Sequence, residues 1–169
     1  MYIQIYILLF KYKYFLFIIM AKYIVRNLCK HDYDSNYLQL LGQDFTIHDG
    51  TISRGDFTDY ISTLNTNHQI LVIEHHSNDI SGSYIIGSST IFIETKLIHN
   101  FGKVAHIEDV IVHNDFRGKG LGKLLLDKCV EIAKQNECYK IILDCSDHNC
   151  RFYENCGFSK KGNQMALYF

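Results

Sequence analysis

From Lys22 onward the apolar residues alternate between a period of two and a period near 3.6, which predicts strands and helices in turn. "KYIVRNL" (22–28) predicts a strand. "KHDYDSNYLQLLGQDF" (30–45) predicts a helix, with Asp32 or Ser35 able to cap it and Tyr37, Leu38 and Leu41 on one face. After the loop "TIHDGTIS", the segment "RGDFTDYISTLN" (54–65) places Phe57, Tyr60, Ile61 and Leu64 at helical spacing. "QILVIEHH" (69–76) and "YIIGSSTIFIET" (84–95) predict two strands around the turn "SNDISGS". "VAHIEDVIVH" (104–113) predicts another strand after "KLIHNFGK". A helix to Gln135 buries Leu121, Leu124, Leu125, Cys129, Ile132 and Ala133. "CYKIILDC" (138–145) is a buried type of strand. "DHNCRFYENCG" predicts a short helix, with Asp147 as N-cap and Gly157 at the C′ position. The tail "FSKKGNQMALYF" predicts closing strands. The order implies one mixed α/β domain around a central sheet.

The first twenty residues stand apart. "MYIQIYILLFKYKYFLFIIM" is apolar, but Lys11 and Lys13 split it into runs too short to span a bilayer. It lacks the charge order and cleavage site of a signal peptide. Three readings stay open: a membrane or targeting segment, an added strand or helix, or a leader upstream of a start at Met20. The division is therefore 1–20, a hydrophobic leader, and 21–169, the folded domain.

Composition narrows the chemistry. The 169 residues carry a formal net charge of −1, so no global field draws the chain to nucleic acid or to an anionic membrane. Any bound anion needs a local cluster. The six cysteines include no CxxC pair, which argues against a zinc ribbon or a thioredoxin-like site. Their apolar settings suit reduced thiols and a cytoplasmic, reducing location. The nine histidines form no HxxxH or HExxH motif, and His75 and His76 diverge on a strand. No metal is expected.

The loop between the strand at 104–113 and the helix at 121, "RGKGLGK", combines Arg117, Lys119 and Lys123 with Gly118, Gly120 and Gly122. A helix start offers unpaired N–H groups and partial positive charge to an anion. The alternating glycines do not fit the dinucleotide fingerprint GxGxxG. A P-loop is excluded because Leu124 stands where it needs Ser or Thr. The pattern that fits is Arg-x-x-Gly-x-Gly at Arg117, Gly120 and Gly122. With "NCRFYENCGF", matching Asn-x-x-x-x-Tyr-x-x-x-Gly-Phe at Asn149, Tyr153, Gly157 and Phe158, the chain resembles the GNAT superfamily of N-acetyltransferases. "HIEDVIVH", "RGKGLGKLLL", "CYKIILDC" and "FYENCGF" together are similar to its glucosamine-6-phosphate N-acetyltransferase family.

The resemblance covers the chain from about Lys22 nearly to its end. It implies a single GNAT-like domain with a mostly antiparallel sheet, a splayed strand pair and flanking helices. It also implies acetyl-CoA as co-substrate, glucosamine 6-phosphate as acceptor, direct attack in a ternary complex, and a homodimer with sites at its interface. Val110, Ile111 and Val112, the loop residues Arg117, Gly118, Lys119, Gly120, Leu121, Gly122 and Lys123, and Asn149 and Tyr153 correspond to coenzyme contacts. The Val110 N–H would polarise the thioester carbonyl, Tyr153 would hydrogen-bond or protonate the leaving thiolate, and Asp144 would orient the acceptor amine. Thr46, Lys96, Leu97, Ile98, His99, Glu108, Asp109, Tyr139, Lys140 and Asp144 correspond to acceptor contacts, with the Tyr-Lys pair from the partner subunit.

Glu108 and Asp109 are adjacent on a strand, so only a bulge lets both reach one ligand. Family members carry an arginine near the position of Tyr168, whereas this chain ends "MALYF". The alternatives are a GNAT enzyme acting on another small amine or a protein amine, and a non-catalytic acyl-CoA-binding protein. The presence of Tyr153 weighs against the latter.

Overall fold

The computed structural model describes residues 23–47, 51–76 and 83–169. The leader, Met20, part of the loop before Thr51 and most of the turn at 77–83 lie outside them. Strands β1 (Tyr23–Asn27), β2 (His68–His76), β3 (Ser83–Thr95), β4 (Lys103–Val112) and β5 (Cys138–Ile142) form one sheet in sequence order. The first four pair antiparallel, and β5 runs parallel to β4. A parallel neighbour needs a crossover, and helix α3 (Leu121–Gln135) provides it.

The predicted periodicity explains the layers. On one face of the sheet α3 buries Leu121, Leu125, Leu126, Cys129, Ile132 and Ala133 against Leu71, Ile73, Ile86 and Ile107. Leu126 is fully buried and Leu124 only partly, so the helix is rotated slightly from the expected face. The other face is covered by α1 (Tyr37–Leu41) and α2 (Arg54–Thr63), through Tyr37, Leu40 and Phe57. Helix α4 (Cys150–Asn155) completes the set and ends at Gly157, whose φ of 92° suits the expected left-handed C′ position.

Three expectations need correction. The helix expected over 30–45 is a 3₁₀ turn, Lys30–Asp34, followed by the short α1. Asp32 is the reason. It is only 3% exposed, accepts two bonds from the Arg26 guanidinium at 2.7 and 2.8 Å, and takes the Cys29 N–H at 2.8 Å. Arg26 also reaches Glu74 on β2 at 2.5 Å. That ion cluster holds the segment in a 3₁₀ rather than an α-helical path. β5 stops at Ile142 rather than Cys145, because its pairing with β4 ends at His106↔Ile142. The tail forms no strand: residues 158–169 lie outside any element, with Met165, Leu167, Tyr168 and Phe169 turned outward. A single chain offers these side chains no layer to cover them.

Candidate active site

β4 and β5 part after His106 and Ile142, so the outer half of β4, Ile107–Val112, has no β5 partner. A splayed pair leaves strand backbone open to a ligand. The β3–β4 register also slips here. Ser88 faces Ile111 and Thr90 faces Glu108, so three β4 steps oppose two on β3. The extra residue is accommodated with Asp109 at φ 52°. Glu108 and Asp109 are consequently both exposed, which regular alternation forbids. This is the bulge that two adjacent carboxylates require.

The glycine loop follows β4 directly. Gly118 and Gly120 have φ values of 74° and 81°, the left-handed region where a side chain is strained. A Cβ at either would meet nothing within 4 Å, so the open loop face is free for a ligand. The first helical bond of α3 runs from Leu124 N–H to the Gly120 carbonyl at 3.1 Å, leaving the Leu121 and Gly122 amides ahead of the hydrogen-bonded ladder. Gly122 has a different task. A Cβ there would lie 3.0 Å from the Phe152 ring, so this glycine lets α4 close on the first turn of α3. These features suit a coenzyme diphosphate, with amide donors, a helix end and no side chain in the way.

The cations around the loop are already engaged. Arg117 donates to the Val112 carbonyl at 2.9 Å and to Asp44 at 2.5 Å. Lys119 donates to the Asp115 carbonyl and lies 4.6 Å over the Phe116 ring. Lys123 pairs with Asp127 one turn on. Arg117 therefore works first as a brace. Sequence reading missed the other half of that brace, Asp44, and Gln43, whose side-chain oxygen accepts the Asn114 N–H at 3.1 Å. Both sit more than seventy residues from their partners, and no local pattern marks them.

Tyr153 lies half-buried on α4, its ring 5.0 Å from Phe152 and 6.1 Å from Phe158. Burial, then the neighbouring Cys145, Cys156 and Glu108, push its hydroxyl up to about 12. It keeps its proton throughout the neutral range and is a hydrogen-bond donor. Burial also pushes Glu108 above the ordinary carboxylate value, helped by Asp109 and Asp144 and opposed by His106. Asp109 and Asp144, from β4 and from the loop after β5, thus act on Glu108, which in turn acts on Tyr153. Asp109 further accepts from Thr90 at 3.5 Å, and its charge helps to raise Tyr37 and Tyr60, after their burial. A cavity of about 370 Å³ opens beside this cluster, lined by Asp144, Cys145, Cys150, Tyr153, Lys160 and Lys161 among others.

The remaining expected residues gather elsewhere. Asn149 closes the turn that leads into α4. Thr46 is exposed on the loop that carries Asp44. Lys96, Leu97, Ile98 and His99 form the β3–β4 connection, where His99, Asn100 and Phe101 all adopt left-handed backbone. His99 stacks on Tyr139 at 4.4 Å, Lys140 lies 5.7 Å from the Tyr139 ring, and Lys96 pairs with Glu94 at 2.6 Å. This second group sits at the start of β5. Val104, the β4 partner of Lys140, is four residues before Glu108, or about 13 Å along the strand. Among the described residues no cluster of three or more metal-ligating side chains occurs, and no helix is long and apolar enough to cross a membrane.

Comparison with known proteins agrees with this geometry. The model of the acetyltransferase (GNAT) family matches residues 35–158. The glucosamine 6-phosphate N-acetyltransferase of Candida albicans is 39% identical over 150 residues, 87% of this chain and 96% of that protein. Its Arabidopsis thaliana namesake is 40% identical over 148 residues, 86% and 95% of the two chains. The crystal structure of the Arabidopsis enzyme superposes with a TM-score of 0.80 at 37% identity, covering 87% of this chain and 98% of that one. The strand splay, the glycine loop and these similarities together make the chain a member of the GNAT acetyltransferase family.

Proposed function

We propose that the chain transfers acetyl from acetyl-CoA to the 2-amino group of D-glucosamine 6-phosphate by direct attack in a ternary complex. The product, N-acetylglucosamine 6-phosphate, would feed UDP-N-acetylglucosamine synthesis. The relatives named above carry that activity in their names. The observation that carries the reading is the β4 bulge, which leaves Glu108 and Asp109 both exposed, Glu108 close enough to act on Tyr153, ahead of the glycine loop.

Acetyl-CoA supplies an activated acyl group on a thiol leaving group. The residues of this chain do the rest. The Leu121 and Gly122 amides and the loop receive the diphosphate, with the Arg117–Asp44 brace holding the loop in shape. Val110 N–H, on the β4 segment beyond the splay, donates to the carbonyl oxygen; such a donor in a dry site is worth about 3 kcal/mol. Asp144 and Asp109 orient the amine and stabilise positive charge as it attacks. Glu108, whose carboxyl is pushed up chiefly by burial, serves as the proton acceptor. A Tyr153 proton held near 12 lies above an ordinary thiol at about 8.5, so complete transfer is unfavourable and Tyr153 acts by hydrogen bond.

The phosphate end is assigned to a second chain. The Tyr139–Lys140–His99 group lies about 13 Å along the sheet from Glu108 of its own subunit, at the far end of β5 from Asp144. A twofold dimer brings the partner's Tyr139 and the partner's Lys140 to the acceptor instead. Exposed apolar side chains support that interface: Leu97 is 84% exposed, Phe101 68% and Tyr168 90%.

A free-thiol release assay over glucosamine 6-phosphate, glucosamine and a panel of small amines tests the reading. It predicts a strong preference for the phosphorylated sugar. Equal rates on unphosphorylated amines would favour the alternative of a GNAT enzyme with another acceptor.

A further inference from the structure

Cys145 and Cys150 are the two thiols of the cavity wall beside Tyr153. Their sulfurs are 3.9 Å apart, in van der Waals contact. Cys145 is exposed on the loop after β5, directly following Asp144. Cys150 opens α4, three residues before Tyr153. Between them lie only Ser146 and the 3₁₀ turn Asp147–Asn149. The other cysteines play different parts: Cys129, for example, is fully buried under the sheet.

We infer that Cys145 and Cys150 form a dithiol modification site that low-molecular-weight disulfides convert to an internal disulfide, reversibly lowering acetyl transfer. The chemistry balances as two exchanges. The Cys145 thiolate attacks one sulfur of the small disulfide, forming a mixed disulfide and expelling one thiolate. The Cys150 thiolate then attacks the Cys145 sulfur and expels the second. Two protein thiols are oxidised, one small disulfide is reduced to two thiols, and the two protons end on those thiols.

Closure has a structural consequence. A disulfide needs its sulfurs at about 2.05 Å, so the pair must draw together by almost 2 Å. The segment that yields is a loop and a 3₁₀ turn. Asp144 is attached at one end and the first turn of α4, carrying Tyr153, at the other. Closure thus ties together the two groups on which the proposed function rests, and a misplacement of either near 1 Å costs about 100-fold in rate.

The full-length chain is incubated with oxidised glutathione at mildly alkaline pH. Burial, Cys150 and Asp147 hold the Cys145 thiol above its usual range, so thiolate is scarce at neutrality. Tryptic residues 141–151 contain these two cysteines and no others. Mass spectrometry should show that peptide short of two hydrogens, with acetyl transfer down about 100-fold and restored by dithiothreitol. Cys150→Val should give no internal disulfide. Free thiols or persistent glutathione adducts in place of closure overturn the inference, as does closure with unchanged transfer. The proposed function is judged separately: it fails if the fully reduced protein shows no transfer to glucosamine 6-phosphate.

Discussion

Replacing Gly122 by alanine isolates the contact between the coenzyme loop and the helix that carries Tyr153. The new Cβ would stand 3.0 Å from one Phe152 ring carbon and 3.4 Å from another. Carbon atoms prefer about 3.5–4.0 Å, so the Phe152 ring, together with the α4 backbone that carries it, must give by roughly 0.5 Å. Overpacking costs about 1–3 kcal/mol, while glycine to alanine in a helix returns about 1 kcal/mol. Phe152 is 36% exposed, so its ring can yield toward solvent and the cost falls at the low end. The midpoint in urea should therefore move little, by about 1 kcal/mol or less of stability. Activity should respond more. Tyr153 is the next residue, and a shift of half an ångström should lower kcat about tenfold by scaling from the 100-fold cost of 1 Å. Trimming the ring with Phe152→Leu in the Gly122→Ala background should recover most of that loss. Thiol release and urea unfolding on the single and double variants provide the test. An unchanged kcat in Gly122→Ala, or no recovery in the double variant, would refute the claim that this approach positions Tyr153.

Gly120→Ala strains only the backbone, since its Cβ has open space but φ is 81°; about 1–2 kcal/mol of stability should be lost, with weaker acetyl-CoA binding by calorimetry. Arg26→Met leaves Asp32 buried and unpaired, which should cost about 3–5 kcal/mol in urea unfolding. The pH dependence of stability follows from the same carboxyl. Burial would raise Asp32, but its bonds to Arg26 and the Cys29 amide outweigh that and hold it below its ordinary value. Its contribution is complete above the unfolded value of about 3.9 and is lost as pH falls through the lower folded value, so acid unfolding should steepen there. Glu108→Gln should remove the acid limb of the pH–rate profile, which in the parent lies above the ordinary carboxylate range. Mixing Tyr153→Phe with Lys140→Ala should restore transfer that neither variant shows alone; failure despite subunit exchange would place both groups in one subunit.

The sequence made the periodic elements visible because burial imposes their spacing. α3 appears through its 3.6 period, β4 through its apolar alternation and α4 through the glycine that ends it. The glycine loop was legible for the same reason, since left-handed backbone at Gly118 and Gly120 restricts the residue type. Long-range polar pairing was not. Asp32 looked like a helix cap, yet Arg26 on β1, itself tied to Glu74 on β2, claims it. The role of Asp44 depends on Arg117, seventy-three residues later. The tail reads as strand, yet residues 158–169 pair with no strand, and β5 keeps an open outer edge. Gly122 belonged to the motif, while its work against Phe152 appears only once α3 and α4 are side by side.

Calorimetric titration of the full-length chain with acetyl-CoA, set beside S-acetylpantetheine, tests the claim that the loop and helix end grip the coenzyme through its diphosphate. Tight binding of acetyl-CoA and much weaker binding of the fragment lacking the diphosphate is the predicted result. Equal affinity for the two, or no heat with either, would contradict it.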